Sequence, residues 1–315
     1  MKGMRPSTIL VAGPTASGKT ALALALAETL GGAVINADSM QVYHDLRIIT
    51  ARPTPQEESR VAHHLFGHVD AAVNYSVGLW LTDFAATLEA VRAEGLTPIV
   101  TGGTGMYFKA ALQGLSDMPA VPAELRARIR AEAEGKSAPQ LWDELSQRDP
   151  ETAARLRPTD PQRILRALEI FAATGRPLAQ FQGARAAPLL DLAHCAAFFI
   201  APERAALQAR IDARFDAMID AGALDEVRAL HARGLDPALP AMRAHGVPHL
   251  CAFFENRMSR DEAIFRGKAD TRHYAKRQFT FARHQLPNFM WLEGDGLLQQ
   301  AMAKIEAFSD SGSAA

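Results

Sequence analysis

The sequence predicts an α/β fold: a parallel sheet flanked by helices, interrupted by an all-helical insertion domain. Three observations carry that expectation. Short apolar runs suited to buried strands alternate with helical patterns over the first third of the chain. A glycine-rich turn, Gly13 to Thr20, joins the first of those runs to a helix. From about Met118 the strand signals fade, and Ala, Arg, Glu and Leu dominate as far as a Gly/Pro linker near Gly183–Pro188.

The elements follow in order. Thr8 to Ala12 reads as a buried strand, and Lys19 to Leu30, rich in Ala and Leu, as a helix closed by Gly31-Gly32. Ala33 to Ala37 is a second strand ending at Asp38. Leu79, Phe84, Leu88 and Val91 give Tyr75 to Glu94 a helical pattern that Gly95 ends, and Thr97 to Thr101 is a third strand running into Gly102-Gly103-Thr104-Gly105. In the insertion, Leu125 to Glu134, Gln140 to Gln147, Glu151 to Leu156 and Gln162 to Thr174 read as helices. His194 to Ala201 returns to a strand. The helices Glu203 to Ala221, Leu224 to Ala232, His249 to Glu255 and Ser259 to Gln285 complete the chain, and the small polar tail from Ser309 is expected to be disordered. The expected division is 1–117 and 188–308 as core, 118–187 as insertion, and 309–315 as tail.

Composition bounds the function. The 315 residues are 48% hydrophobic and 22% charged, which fits a folded globular chain and excludes a fully disordered one. No apolar run approaches the roughly 20 residues of a membrane span, and Ile9 to Ala12 is too short for a signal peptide, so a cytoplasmic protein is expected. Cys195 and Cys251 alone make neither a disulfide framework nor a Cys-based zinc site, and the ten histidines lack zinc-like spacing. Net charge is −1, but Arg outnumbers Lys 27 to 7, and Arg is the better fork for phosphates.

The sharpest motif is Gly13-Pro14-Thr15-Ala16-Ser17-Gly18-Lys19-Thr20, which fits G-x-x-x-x-G-K-[ST] between a strand and a helix. Its amides form an anion nest at a helix N-terminus, Lys19 neutralises a phosphate, and Thr20 is placed to ligate Mg²⁺. The loop announces a diphosphate or triphosphate, not a nucleobase. Together with the strand pattern it makes the core P-loop NTPase-like. Asp38 sits where α/β sheets place ligands. It can be a metal ligand, a general base or a helix cap. The Gly102–Tyr107 segment is either a plain tight strand-to-helix turn or a site of close backbone approach, with Thr104 able to donate to an anion. Arg210 and Arg214 share a helical face and suit a diphosphate or a solvated charged surface.

The last helix is basic. From Arg257 to Arg283 there are eight Lys/Arg against three Asp/Glu. Arg272, Lys276, Phe279 and Arg283 fall within about 60° of one another, with Tyr274 and Phe281 opposite and available to the core. A basic stripe bearing an aromatic is either a nucleic-acid footprint or a plain solvated helix face. Gln162, Arg163 and Arg166 form a smaller cluster, with Asp160 as helix cap and Pro161 as first helical residue.

Taken together, these pieces resemble a known family. GPTASGKT (Gly13–Thr20), ADSMQVY (Ala37–Tyr43), Thr50-Ala51-Arg52-Pro53, GGTGMY (Gly102–Tyr107), QRILRALE (Gln162–Glu169), Arg210–Gly222 and AKRQFTFAR (Ala275–Arg283) occur in the order found in tRNA dimethylallyltransferases, or isopentenyltransferases. The likeness runs from about residue 8 to 293 and is nearest to bacterial-type members. It implies transfer of the dimethylallyl group of dimethylallyl diphosphate to the exocyclic amine of adenine at tRNA nucleotide 37, beside the anticodon, with release of pyrophosphate. By motif it implies Asp38 as the base taking the amine proton. Lys19, Thr104, Arg210 and Arg214 would act on the diphosphate, with Mg²⁺ near Thr20. It further implies tRNA contacts from Asp38, Ser39, Met40, Gln41, Thr104, Arg126, Gln162, Arg163, Ile164, Leu165, Arg166, Arg243, Lys276, Arg277, Gln278 and Arg283, with the helical insertion gripping the anticodon stem. The expected partners are tRNA and dimethylallyl diphosphate, with no membrane, and the chain is expected to be a monomer. Two segments depart from the family. Ile49-Thr50-Ala51-Arg52 replaces the usual Gly-Thr-Ala-Lys, and Gly246-Val247-Pro248-His249 replaces a Gly-Tyr-basic run. The competing readings are a P-loop small-molecule or nucleotide kinase, with the insertion as its lid, and an RNA-binding P-loop module without transfer chemistry.

Overall fold

The structure is a computed structural model and describes residues 6–183 and 185–311. Strands β1 (Thr8–Ala12), β2 (Gly32–Asn36), β3 (His63–His64), β4 (Thr97–Gly102), β5 (Cys195–Ile200) and β6 (Met290–Leu292) form one sheet in the order β3-β2-β4-β1-β5-β6. Every pairing between these strands is parallel. The central strands are buried along their whole length because both faces are covered. Side-chain alternation divides them. Leu10, Ala12, Ala197 and Phe199 enter one core with Trp80 and Phe84, while Ile9, Val11, Phe198 and Ile200 enter another with Leu22 and Leu26.

The helices of this unit are α1 (Lys19–Leu30), α2 (Pro55–Glu58), α3 (Val77–Ala93) and α4 (Gly105–Gln113). Those of the insertion are α5 (Ala123–Glu132), α6 (Ala138–Arg148), α7 (Pro150–Ala153) and α8 (Pro161–Thr174). The core resumes with α9 (Arg204–Met218), α10 (Leu224–Ala232), α11 (Val247–Phe254), α12 (Arg260–Gln285) and α13 (Leu297–Ser311). Ser76 caps α3, and Trp80 stacks on Phe84 at 4.7 Å and on Tyr107 at 4.3 Å. The Trp80 indole donates to the Asn36 carbonyl at 2.9 Å, which fixes the end of β2 just before Asp38. A further apolar cluster joins Tyr43 and Leu46 to Phe215 of α9 and Leu250 of α11.

The chain divides into two compact units, Met1–Leu112 with Leu189–Ala315, and Gln113–Pro188. The second unit packs Leu145, Ile164, Ala167 and Ile170 around its own core. Asp160 caps α8 by accepting from the Arg163 amide, with Pro161 first in the helix, as the sequence predicts. Glu169, only 2% exposed, draws in Arg130 at 3.0 Å, Arg166 at 3.5 Å and Arg126 at 3.9 Å.

Several expectations are corrected. Strand β2 stops at Asn36, two residues before Asp38. The sequence gives no warning of β3, β6, α2 or α13, because the strands are too short for a period and α13 lies past the last strong motif. The tail expected to be disordered from Ser309 is helical as far as Ser311, and 312–315 lie outside the described residues.

Candidate active site at the carboxyl edge of the sheet

The sheet order brings β2, β4 and β1 side by side, so the loops after them meet at one edge. After β1, Ala16 (φ 62) and Gly18 (φ 96) both adopt left-handed backbone, which curls the loop into an anion nest. Gly18 caps α1 without any side-chain hydrogen bond, so the first amides of α1 keep their orphan donors for a ligand. A Cβ on Gly13 would lie 2.9 Å from Ser17 Oγ. That hydroxyl is buried and has no partner among the described residues. Lys19 Nζ donates to the Pro14 carbonyl at 2.7 Å. Burial holds the Lys19 pKa down at about 8, with Asp38 opposing the shift and Arg214 adding to it. A charge held against desolvation is one that an anionic ligand would strongly favour.

After β2, Asn36 ties down the second loop, since its amide donates to the Asp38 carbonyl at 2.9 Å and the Leu65 carbonyl at 3.0 Å. Asp38 Oδ1 accepts from the Met40 amide at 3.0 Å, so one carboxylate oxygen closes a local turn. The other, Oδ2, lies 3.1 Å from where a Cβ on Gly103 would stand. The Asp38 charge acts on Lys19 and Arg214. The next helix begins only at Pro55, so the helix-cap reading of Asp38 is corrected to a local turn, with the side chain on the wall of a small cavity.

After β4, a Cβ on Gly102 would lie 2.1 Å from the Ala37 carbonyl, so only glycine allows these two loops to touch. Thr104 Oγ1 accepts from the Ser39 amide at 2.9 Å and donates to Ser39 Oγ at 3.1 Å. Its first role here is to bind the second loop to the third. Gln278 of α12 completes the assembly. Its Oε1 accepts from the Thr15 amide at 3.0 Å, and its Nε2 donates to the Gly103 carbonyl at 2.8 Å.

The two arginines of α9 part company. Arg214 donates to Thr15 Oγ1, and burial lowers its pKa against the pull of Asp38. It faces a narrow cavity of about 60 Å³ whose other polar members are Thr15, Asp38, Thr50, His245, Thr271 and Tyr274. Met40, Ile49, Ile211, Phe215 and Met218 form the apolar walls. Arg210 is exposed and lines a separate, open cleft of about 1140 Å³, on the Ser17 side of the loop. Ile211 borders both spaces. The arginines therefore flank the phosphate loop from two sides and do not form one fork.

The family described as IPP transferase matches residues 41–285, and that described as Isopentenyl transferase matches residues 6–64. The chain belongs to the IPP transferase family. It is similar to the tRNA dimethylallyltransferase of Methylocella silvestris, 62% identical over 93% of this chain and 97% of the relative. The corresponding protein of Beijerinckia indica is 62% identical over 90% of this chain and 94% of its own. Among solved structures, the full-length tRNA isopentenylpyrophosphate transferase of Bacillus halodurans aligns with TM-score 0.69, 30% identity and 97% of each chain. A eukaryotic dimethylallyltransferase acting on tRNA aligns with TM-score 0.76 and 28% identity, over 96% of this chain and 79% of that one.

The transferase deploys its expected RNA contacts unevenly. Arg243, Lys276, Arg277, Arg283, Gln162 and Arg163 are exposed. Ile164 is fully buried and Leu165 packs against the same core, so neither offers its side chain to RNA. Gln278 is buried as the loop clamp, and Gln41 donates to the Thr50 and Ala51 carbonyls at 2.9 Å each. Phe279 of the basic stripe is no free stacking platform, since it packs on Phe199 at 5.5 Å. Arg272 is paired with Asp212. Lys276, Phe279 and Arg283 do share one wall, that of the open cleft.

Tyr274, on the helix face expected to be available to the core, lines the Asp38 cavity beside His245, which no motif marked. Burial and the Asp38 charge both raise the Tyr274 pKa. Its spacing was the available signal. Tyr274 lies one turn before Gln278 and close to the buried Thr271, so all three share a helix face.

Proposed function

We propose that the chain transfers a dimethylallyl group from dimethylallyl diphosphate to the exocyclic amine of adenine at tRNA nucleotide 37. The observation that carries this reading is Asp38, with one carboxylate oxygen outside the local turn, facing a phosphate nest across a cavity walled in part by Met40, Ile49, Ile211, Phe215 and Met218. The loop amides with Lys19 and Arg214 hold the diphosphate. The apolar walls take the five-carbon chain. The adenine leaves its stack to reach a buried reaction point. Its amine nitrogen forms a bond to the allylic carbon, the bond from that carbon to the diphosphate oxygen breaks, and Asp38 takes the amine proton. Pyrophosphate departs with its charge matched by Lys19 and Arg214. Exposed Arg243, Lys276, Arg277 and Arg283 follow the RNA backbone, and Gln162 and Arg163 give the insertion unit a small RNA-facing cluster.

Magnesium fits as an ion carried by the diphosphate. Thr20 stands half-buried at the first turn of α1, behind a loop with an unpartnered Ser17 hydroxyl. Among the described residues the one convergent set of three His, Cys, Asp or Glu ligands is His44, Asp45 and Asp70, none of which lines the Asp38 cavity. The ion would thus take Thr20 Oγ1, diphosphate oxygens and water, and would supply charge neutralisation of the leaving group.

The test uses the purified chain, an unmodified tRNA transcript and labelled dimethylallyl diphosphate, with ATP as the alternative phosphate compound. Label entering tRNA together with pyrophosphate release supports the reading. Phosphoryl transfer from ATP, with no label in tRNA, overturns it.

A further inference from the structure

We propose that His245 is a base-reading residue of this transferase, hydrogen-bonding the acceptor adenine from the side of the cavity facing Asp38. The inference rests on the proposed transfer to adenine and adds a contact that the motifs do not contain.

Four observations converge on this side chain. It lines the same small cavity as Asp38, Thr15 and Arg214. Its position is set by its neighbours. Gly246, at φ 94, turns the chain into α11, and a Cβ there would stand 3.0 Å from the Phe215 ring. The His245 ring lies 4.5 Å from that of Tyr274, tilted by 43°. Most other described histidines use a ring nitrogen on the protein itself: His44 on Val69, His63 on Val61, His68 on Tyr75, His194 on Asp191 and His249 on Asp270. His245 has no such hydrogen bond to protein among the described residues, although it is partly buried beside a carboxylate.

Its charge state fits a base better than a phosphate. Burial lowers the His245 pKa, and the Arg277 guanidinium of α12 adds to that, while Asp38 after β2 and Asp270 of α12 pull the other way. Tyr274 of α12 and Arg214 of α9 are the remaining titratable groups around the cavity. A neutral imidazole presents one donor and one acceptor. Adenine presents the complementary pair, an exocyclic amine beside a ring nitrogen. Asp38 is an acceptor only, so it can receive the amine proton but cannot bond the ring nitrogen. His245 supplies the missing donor, which would turn the reacting amine toward Asp38.

The test compares His245→Phe, which keeps a ring against Tyr274 and removes both nitrogens, with His245→Gln, which keeps a donor and an acceptor. Transfer is measured on full-length protein with varied tRNA and varied dimethylallyl diphosphate, and thermal midpoints are recorded alongside. His245→Phe is expected to lower kcat/KM for tRNA about 10–100-fold, as when a site built to hydrogen-bond a substrate is left unpaired. The donor KM should stay within about twofold, and His245→Gln should recover to within about fivefold of the parent. If His245→Phe does not fold, His245→Met replaces it with the same expectations. An unchanged kcat/KM in the apolar variant overturns the contact. So does an equal loss for both substrates that Gln fails to rescue, since that is a packing defect. A parent that transfers nothing overturns the proposed function itself, a different result from an active parent with indifferent variants.

Discussion

Gln278 shows how a residue can matter to chemistry without touching a substrate. One amide spans 263 positions of sequence to hold Thr15 and reaches back to Gly103, fixing two of the three loops that build the site. Gln278→Leu would orphan the part-buried Thr15 amide and the buried Gly103 carbonyl, at a cost of up to about 1–3 kcal/mol each. Urea unfolding should register that loss, and donor affinity should fall with it. Wild-type stability and donor affinity in the variant would refute the clamp. A second residue-scale expectation concerns pH. Burial lowers the pKa of His64 and of His245 below 6.5, so the unfolded chain takes up these protons first. Their contribution to stability is complete above pH 6.5 and is lost as pH falls below it. Thermal midpoints measured between pH 8 and 5 should fall less steeply for His64→Gln with His245→Gln than for the parent. Equal slopes would show that neither imidazole is buried as described. At this scale the sequence was partly legible. Asp38, Lys19 and Arg214 declare themselves through motif and position. Gln278 and Tyr274 do not, because a buried polar residue on a basic helix looks like one more surface contact until its partners are seen.

At the scale of elements, the segment after Tyr43 is organised from α10. The Glu226 carboxylate accepts from three successive backbone amides, Arg47 at 2.6 Å, Ile48 at 2.7 Å and Ile49 at 2.9 Å. That plug sets the turn which carries Ile49 and Thr50 to the Asp38 cavity and holds Ala51 at φ 54. It also explains how the turn keeps its shape without the glycine usual in the family. Glu226→Ala should cost about 1.5–3 kcal/mol, as for hydrogen bonds to a charged group. It should also raise the tRNA KM, because the cavity wall loosens. Calorimetry and steady-state kinetics would test the pair, and a stable, fully active variant would contradict it. The break between α9 and α10 has a simpler cause. Gly222 sits at φ 103, and a Cβ there would have Ile48 Cδ1 as its nearest outside atom, 3.8 Å away. Gly222→Ala therefore meets only an ordinary van der Waals contact but a strained backbone, and should cost about 1–2 kcal/mol in unfolding free energy with little effect on turnover. Long periodic helices such as α3, α8 and α12 were readable to within a few residues. The two- and three-residue strands β3 and β6 were not, since their identity comes from pairing with β2 and β5.

Across the whole molecule, alternation of strand and helix was enough to predict a parallel sheet with its phosphate loop at the carboxyl edge. The strand order, which places Asp38 beside that loop, becomes visible only in the fold. Charge is arranged on the same scale. A chain of net charge −1 gathers Arg210, Lys276 and Arg283 around one open cleft. If RNA follows that face, Lys276→Ala with Arg283→Ala should flatten the salt slope of tRNA binding by roughly 0.7–0.9 per lost contact and leave donor affinity alone. An unchanged slope would make the cleft ordinary solvated surface. The proposed reaction turns on one step, in which Asp38 would take the proton from an amine delivered to the edge of the phosphate loop. The decisive experiment is single-turnover transfer with saturating tRNA and dimethylallyl diphosphate, Asp38→Ala beside the parent. The expected rate is about 10²–10⁴-fold lower with both substrates still bound, and a rate within about threefold of the parent would contradict the assignment of Asp38 as the base.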